Sequence, residues 1–235
     1  MTLQANLQRV QDRIAAAAVR AGRDPASITL VAVSKTQPVE QLIRAYELGA
    51  RHFGENRVEE AAPKIAAFRQ AVADPTVVFH MIGHVQSRKA ADVAARFDRV
   101  HSVDSVKLLE RLIRFAGQRA APLSVLLEVN VAGEASKYGF DVTRRDEIDA
   151  AVEAAMMGRE RVRLDGLMTM APIVAQAELA RPVFRALREL RDELAKHHPA
   201  IDLPQLSMGM TDDFEVAVEE GATLVRVGRA IFGEG

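Results

Sequence analysis

The 235-residue sequence predicts an α/β fold, a single (β/α)8 TIM-type barrel with an extra helix at its N-terminus. Three observations carry that prediction. Short β-branched apolar runs alternate eight times with segments of helical period, an order that implies a parallel sheet. No composition shift, linker or low-complexity tract divides residues 1–235, so one domain is expected. Small and polar residues gather just after the apolar runs, where a barrel carries its chemistry. The alternative is an open doubly wound sheet, and the lack of a Gly-x-Gly-x-x-Gly motif after the first strand stands against it.

Residues 3–21 place Leu3, Leu7, Val10, Ile14 and Ala18 on one helical face, with Gly22 as the C-terminal cap and Asp24-Pro25 as the turn beyond. Residues 28–35 read as a first, fully buried strand. Pro38 suits the first turn of the helix that follows, which closes at Gly49. Further strands are expected at 51–56, 77–83, 100–103 and 123–131. Between them helices run over 57–68, through Val85, Lys89 and Val93, and through Leu108, Leu109, Leu112 and Ile113. An irregular stretch, 132–140, and a helix ending near Met157 follow the fifth strand. Strands at 164–170, 205–210 and 224–228 are each followed by helical segments: 176–196, 212–220 and a last turn from Arg229 to Phe232.

Composition removes several function classes. A formal net charge of −1 offers no electrostatic case for nucleic acid or an anionic membrane as partner. The absence of cysteine excludes disulfides, thiolate nucleophiles and cysteine-ligated metals. No apolar run approaches the roughly 18 residues of a membrane span, and the N-terminus lacks the pattern of a secretory signal. A cytoplasmic monomer is expected.

At the strand ends, Lys35 closes the first apolar run. In a barrel such a lysine could form an imine with pyridoxal phosphate, form one with a carbonyl substrate, act as a general base, or neutralise an anion. The first three need a neutral amine, hence a pKa brought down from about 10.4 by burial or a neighbouring cation. Arg226 alternates with Leu224 and Gly228 while Val225 and Val227 take the other face, which points Arg226 into the mouth. It either serves a ligand or makes a structural salt bridge, for instance with Glu55 or Glu128. Ser207-Met208-Gly209-Met210-Thr211 and Gly228-Arg229-Ala230 each follow a strand and open a helix, as phosphate-binding turns do; ordinary turn glycines are the plainer reading. An inward lysine, an inward arginine and a phosphate cradle suit pyridoxal phosphate best. His84 can stack on or bond a ligand, whereas His52, His80 and His101 sit earlier in their strands and read as structural. No histidine pair has helical metal-site spacing, so no catalytic metal is expected.

Val31-Ala32-Val33-Ser34-Lys35, His52-Phe53-Gly54-Glu55-Asn56, Phe79-His80-Met81-Ile82-Gly83-His84 and His101-Ser102-Val103-Asp104 all resemble the pyridoxal-phosphate homeostasis protein family. So do Gly166-Leu167-Met168-Thr169-Met170, Leu206-Ser207-Met208-Gly209-Met210 with Asp213-Phe214-Glu215, and Val225-Arg226-Val227-Gly228. The resemblance runs in order from residue 30 to the end. It implies an alanine racemase N-terminal-domain-like barrel that holds pyridoxal 5′-phosphate as a lysine imine and buffers or delivers it to apo-enzymes. Carried over by position, Lys35 is the imine lysine and Arg226 the partner of the ring nitrogen. Ser207, Gly209, Gly228 and the Arg229 backbone hold the phosphate, with Asn56 and Met208 lining the pocket. Thr211 and Arg229 depart from the family, which often has serine or alanine at the first position and a hydroxyl residue at the second. The resemblance implies no established turnover. A racemase also needs a second acid/base beyond its lysine, which alanine racemase carries on an additional domain expected to be missing here.

Overall fold

Closure of the sheet is what places the two ends of the chain side by side. The structure, a computed structural model, describes residues 2–134 and 137–233. Its strands are β1 (Thr29–Val33), β2 (His52–Glu55), β3 (Val78–Met81), β4 (Arg99–Val103), β5 (Leu123–Asn130), the two-residue β6 (Phe140–Asp141), β7 (Val162–Met168), β8 (Gln205–Ser207) and β9 (Leu224–Val227). All pair in parallel in the order β4-β3-β2-β1-β9-β8-β7-β5, and β4 also pairs with β5, so eight strands form a closed barrel. β6 continues one edge of β5, in the segment expected to be irregular; Ala135 and Ser136 of that segment lie outside the described residues.

Each apolar face is buried as the periodicities require. The helix α1 (Leu3–Arg20) begins at Thr2, whose side chain accepts from the Ala5 N–H, and buries Leu7, Val10, Ile14, Ala17 and Ala18. Those residues join a large outer core between strands and helices. α1 also holds the last helices, α8 (Phe214–Glu219) and α9 (Arg229–Phe232). Arg13 pairs with Glu215 at 2.8 Å, and the Asn6 amide donates to Ile231 O at 3.0 Å. The barrel interior has a separate, small apolar cluster of Val31, Leu126, Met168 and Leu224. Leu224 is inside while Val225 and Val227 belong to the outer core, so Arg226 faces inward as the alternation predicted.

Most strands end earlier than the sequence suggested. β8 stops at Ser207 instead of residue 210, because Gly209 turns at φ 91 and Met210 N–H bonds the Asp213 carboxylate at 2.6 Å. The helix expected from 176 is a short 3-10 turn, Ala177–Ala180, leading into α7 (Arg181–His197), with Pro182 in its first turn.

One close approach is testable. Gly166 of β7 pairs with Gln205 of β8, and a Cβ on it would overlap the Gln205 carbonyl oxygen. Gly166→Ala should destabilise the barrel by about 2 kcal/mol or more, as backbone displacement in a packed sheet does. Urea unfolding with an unchanged midpoint would show that β7 and β8 can separate freely.

Candidate functional site

The candidate residues come from four neighbouring strands, β2-β1-β9-β8, although they lie at opposite ends of the sequence. β1 does not reach Lys35. The Ser34 N–H still bonds Gly54 O at 2.9 Å, but the Gln37 N–H then returns to Ser34 O at 3.0 Å and closes a turn. Thr36 stands in that turn at φ 65, a left-handed conformation costly for a β-branched residue. Lys35 is therefore exposed, which corrects the expectation of a buried strand-end lysine. Its amine has no hydrogen-bond or ion-pair partner among the described residues.

The turn is held from beneath by a residue that sequence reading missed. Lys64, on α3 (Val58–Ala71), donates to Ser34 O at 2.8 Å and Gln37 O at 3.2 Å, the two carbonyls that flank Lys35. It also pairs at 2.7 Å with Glu55, a fully buried carboxylate that accepts from the Ser34 hydroxyl at 2.6 Å. A lysine on an amphipathic helix ordinarily reads as solvated, so periodicity gave no signal. Glu55 thus serves Lys64 rather than Arg226.

Arg226 is 4% exposed. One guanidinium nitrogen donates to the Ser207 hydroxyl at 2.6 Å and another to Thr169 O at 2.9 Å, with the Thr169 hydroxyl tied to Val129 O at 2.8 Å. Burial pushes the Arg226 pKa down to about 10, against the opposing pull of Glu128 and Asp213. Glu128 itself is buried and pushed up to about 7 by desolvation, with Asp104 adding to the effect and Arg226 opposing it. The salt-bridge alternative for Arg226 therefore reduces to a field from Glu128, while its hydrogen bonds go to neutral oxygens.

The hydroxyl of Ser207, a residue expected to help hold the phosphate, lies between Arg226 and His101, whose Nδ1 is 2.8 Å away. The Met208 side chain, expected in the pocket, is fully buried in the outer core, because alternation along the strand turns it toward the helices. Gly209 cannot carry a side chain: a Cβ would meet Ala217 and the Phe214 backbone at 2.5 and 2.8 Å. Gly228 brings β9 against β1, where a Cβ would stand 3.2 Å from Val33. It precedes α9, whose first intrahelical bond is Ile231 N–H to Gly228 O, so the amides of Arg229 and Ala230 come before that bond. The exposed Arg229 guanidinium pairs with Asp212 at 2.6 Å and ties the two glycine turns together. Asn56 keeps a buried side-chain oxygen without a hydrogen-bond partner among the described residues, and its backbone lies where a side chain on Gly83 would stand. His84 stacks on Tyr138 at 3.7 Å between centroids and bonds Asp104 at 2.9 Å.

His52, His80 and His101 touch one another end to end: His52 Nδ1 to His80 Nε2 at 2.9 Å, and His80 Nδ1 to His101 Nε2 at 2.8 Å. Burial is the main cause holding His52 down at about 4 and the other two well below the usual histidine value. The cleft of about 460 Å³ beside Arg99, Arg163 and Asp165 opens at the N-terminal ends of the strands, away from this site.

Two outcomes are expected. Lys64→Met leaves the buried Glu55 charge unpaired and should cost about 3–5 kcal/mol in chemical denaturation. Adding Glu55→Gln should restore most of it; equal loss in single and double variants would refute the clamp. Histidines with depressed pKa values bind fewer protons than the unfolded chain, so stability present at pH 7 is lost as pH falls from 6.5 toward 4. Melting scans should show that loss, at about 2–4 °C per kcal/mol, with a shallower slope in His52→Gln.

Against known proteins, a family model described as alanine racemase, N-terminal domain, matches residues 3–235. The pyridoxal phosphate homeostasis protein of Escherichia coli (strain K12) is 42% identical over 232 residues, covering 97% of this chain and 94% of that one. That of Aquifex aeolicus is 40% identical over 229 residues, covering 97% and 96%. Among solved structures, PipY of Synechococcus elongatus with pyridoxal phosphate bound superposes with a TM-score of 0.79 at 36% identity, covering 95% of this chain and all of that one (100%). Alanine racemase of Clostridium difficile reaches a TM-score of 0.70 at 13% identity with 56% of its length covered, a likeness of fold alone. With fold, strand-end motifs and full-length relatives in agreement, the chain belongs to the alanine racemase N-terminal domain family and, within it, to the pyridoxal phosphate homeostasis proteins.

Proposed function

We propose that this chain binds pyridoxal 5′-phosphate at the C-terminal mouth of the barrel, with Lys35 as its covalent anchor, and buffers the cofactor or delivers it to apo-enzymes. The observation that carries the reading is the convergence on β2-β1-β9-β8 of an unpartnered amine, a buried guanidinium and two glycine turns. The donor set fits the group. Lys35 offers a free amine to an aldehyde, and Arg226 offers donors to a ring nitrogen. The Gly209 and Gly228 turns let backbone approach a phosphate closely. Asn56 has a buried side-chain oxygen still free to accept a hydrogen bond from a ligand. Ser207 acts through Arg226 rather than at the phosphate, and residue 208 contributes by its backbone.

The cofactor supplies an aldehyde for amine capture and a ring that can take up electrons; the protein's share is to hold and orient it. Arg226 opposite the ring nitrogen disfavours protonating that nitrogen, which weakens the ring as an electron sink. Its carboxyl neighbours are Glu128, pushed up to about 7 by burial, and Asp213, itself raised by burial. Relatives about 40% identical across nearly their whole length are named for cofactor homeostasis, whereas the likeness to racemases extends to fold only. Holding and delivery, in the cytoplasm and by a monomer, is therefore the preferred reading over racemisation. No helix among the described residues is long and apolar enough to cross a membrane.

Lys35→Ala should lose the visible absorbance of lysine-bound pyridoxal phosphate, and an unchanged spectrum would sink the assignment. Arg226→Ala should weaken retention about tenfold, as loss of a charged hydrogen-bond donor does. Incubation with L-amino acids in deuterated water should give negligible Cα exchange; brisk exchange would instead establish an enzyme.

A further inference from the structure

The histidines left over from that reading form a continuous path through the barrel. His80 on β3 is in register with Gly54 on β2 and with Arg99 on β4, so His52 precedes and His101 follows that level. The three rings make a diagonal across three adjacent strands. From its upper end His101 reaches across the lumen to Ser207 on β8, and Ser207 to Arg226 on β9. The separations along the path are 2.9, 2.8, 2.8 and 2.6 Å. His80, His101 and Ser207 are fully buried; His52 is half-buried and borders a cleft of about 390 Å³ between α1 and the N-terminal ends of the strands.

Chemistry orients this string. A guanidinium has donors only, so the Ser207 oxygen must accept from Arg226. The serine proton then needs an acceptor, and among the described residues the one in reach is His101 Nδ1. A neutral imidazole has one donor and one acceptor. His101 Nε2–H must therefore donate to His80 Nδ1, and His80 Nε2–H to His52 Nδ1, leaving the His52 Nε2–H at the cleft. The opposite polarity would leave a buried hydroxyl proton facing a cation. Every dipole thus points away from Arg226, and each bond polarises the next.

We propose that His101, His80 and His52 are positioning residues for Arg226: a string of neutral Nε2–H tautomers that locks the Ser207 lone pair onto the guanidinium and so fixes its aim at the mouth. Every ring nitrogen along the string is already engaged, except the His52 Nε2 at its outer end, where the N–H is carried. Arg99 faces all three rings and Arg226 faces His101, and these cations further oppose adding a proton. The effect on the cofactor rests on the role proposed above for Arg226; the tautomers do not.

Two measurements test it. Long-range proton–nitrogen NMR of the cofactor-free protein at neutral pH should show His52, His80 and His101 all neutral and protonated on Nε2. A single Nδ1–H tautomer or a charged ring among them would overturn the string. In cofactor titration, His101→Leu should weaken retention about tenfold by stranding the buried hydroxyl. His101→Asn, whose side-chain oxygen can accept in place of Nδ1, should stay within about threefold of the parent, and His52→Gln at the rim should lose less than His101→Leu. If Arg226→Ala loses the cofactor while His101→Leu retains it fully, the relay is wrong and the binding reading stands. If Arg226→Ala retains it fully, the arginine assignment is wrong, and the tautomers are still decided by NMR.

Discussion

A guanidinium that has lost its water dominates the interior of this barrel. Arg226 sits on the inward face of β9, the face that also carries Leu224 of the small apolar cluster with Val31, Leu126 and Met168. Burying a cation there is tolerable only with hydrogen bonds and counter-charge close by. Ser207 and Thr169 O supply the first, and the carboxyl groups of Glu128 and Asp213, both raised by burial, pull in the favourable direction without outweighing the desolvation. The polar contents of the lumen follow from that need. Thr169 must turn its carbonyl inward, and Ser207 must present a lone pair, which leaves its O–H facing His101 Nδ1.

Closure of the sheet is the second constraint. Val31 of β1 is in register with Arg226 of β9, so the strand that leads to the lysine lies beside the strand that carries the arginine. α1 reinforces the closure by packing on α8 and α9, with the Arg13–Glu215 pair and the Asn6 bond to Ile231 O across that contact. A buried Lys64–Glu55 pair then sets the Lys35 turn against α3. The Lys35 amine itself has no hydrogen-bond or ion-pair partner among the described residues, which suits the anchoring role proposed for it. Rigid base and exposed tip are thus separate properties of adjacent residues.

Much of this was legible in the residues. The eight-fold alternation of strand and helix, the inward register of Arg226 and the turn glycines at 209 and 228 all follow from period, register and backbone sterics. Motif resemblance identified the family. Strand ends were less legible: a run such as 28–35 looks continuous, yet the bond from Gln37 N–H to Ser34 O diverts it into a turn. For Ser207 the motif pointed to a phosphate, while its side-chain partners, Arg226 and His101, come from segments far away in the chain and became visible only in the folded barrel.

By itself the sequence determined the fold class, the family and which face Arg226 takes, because those depend on local period and on short motifs. The tertiary structure decided what each polar side chain meets. Lys64 beneath Lys35, His101 across from Ser207 and His52 in line with His80 are contacts between distant segments, and no spacing along the chain encodes them. Barrel closure creates those neighbours, and the cost of leaving a buried donor or acceptor unpaired then selects the hydrogen bonds among them.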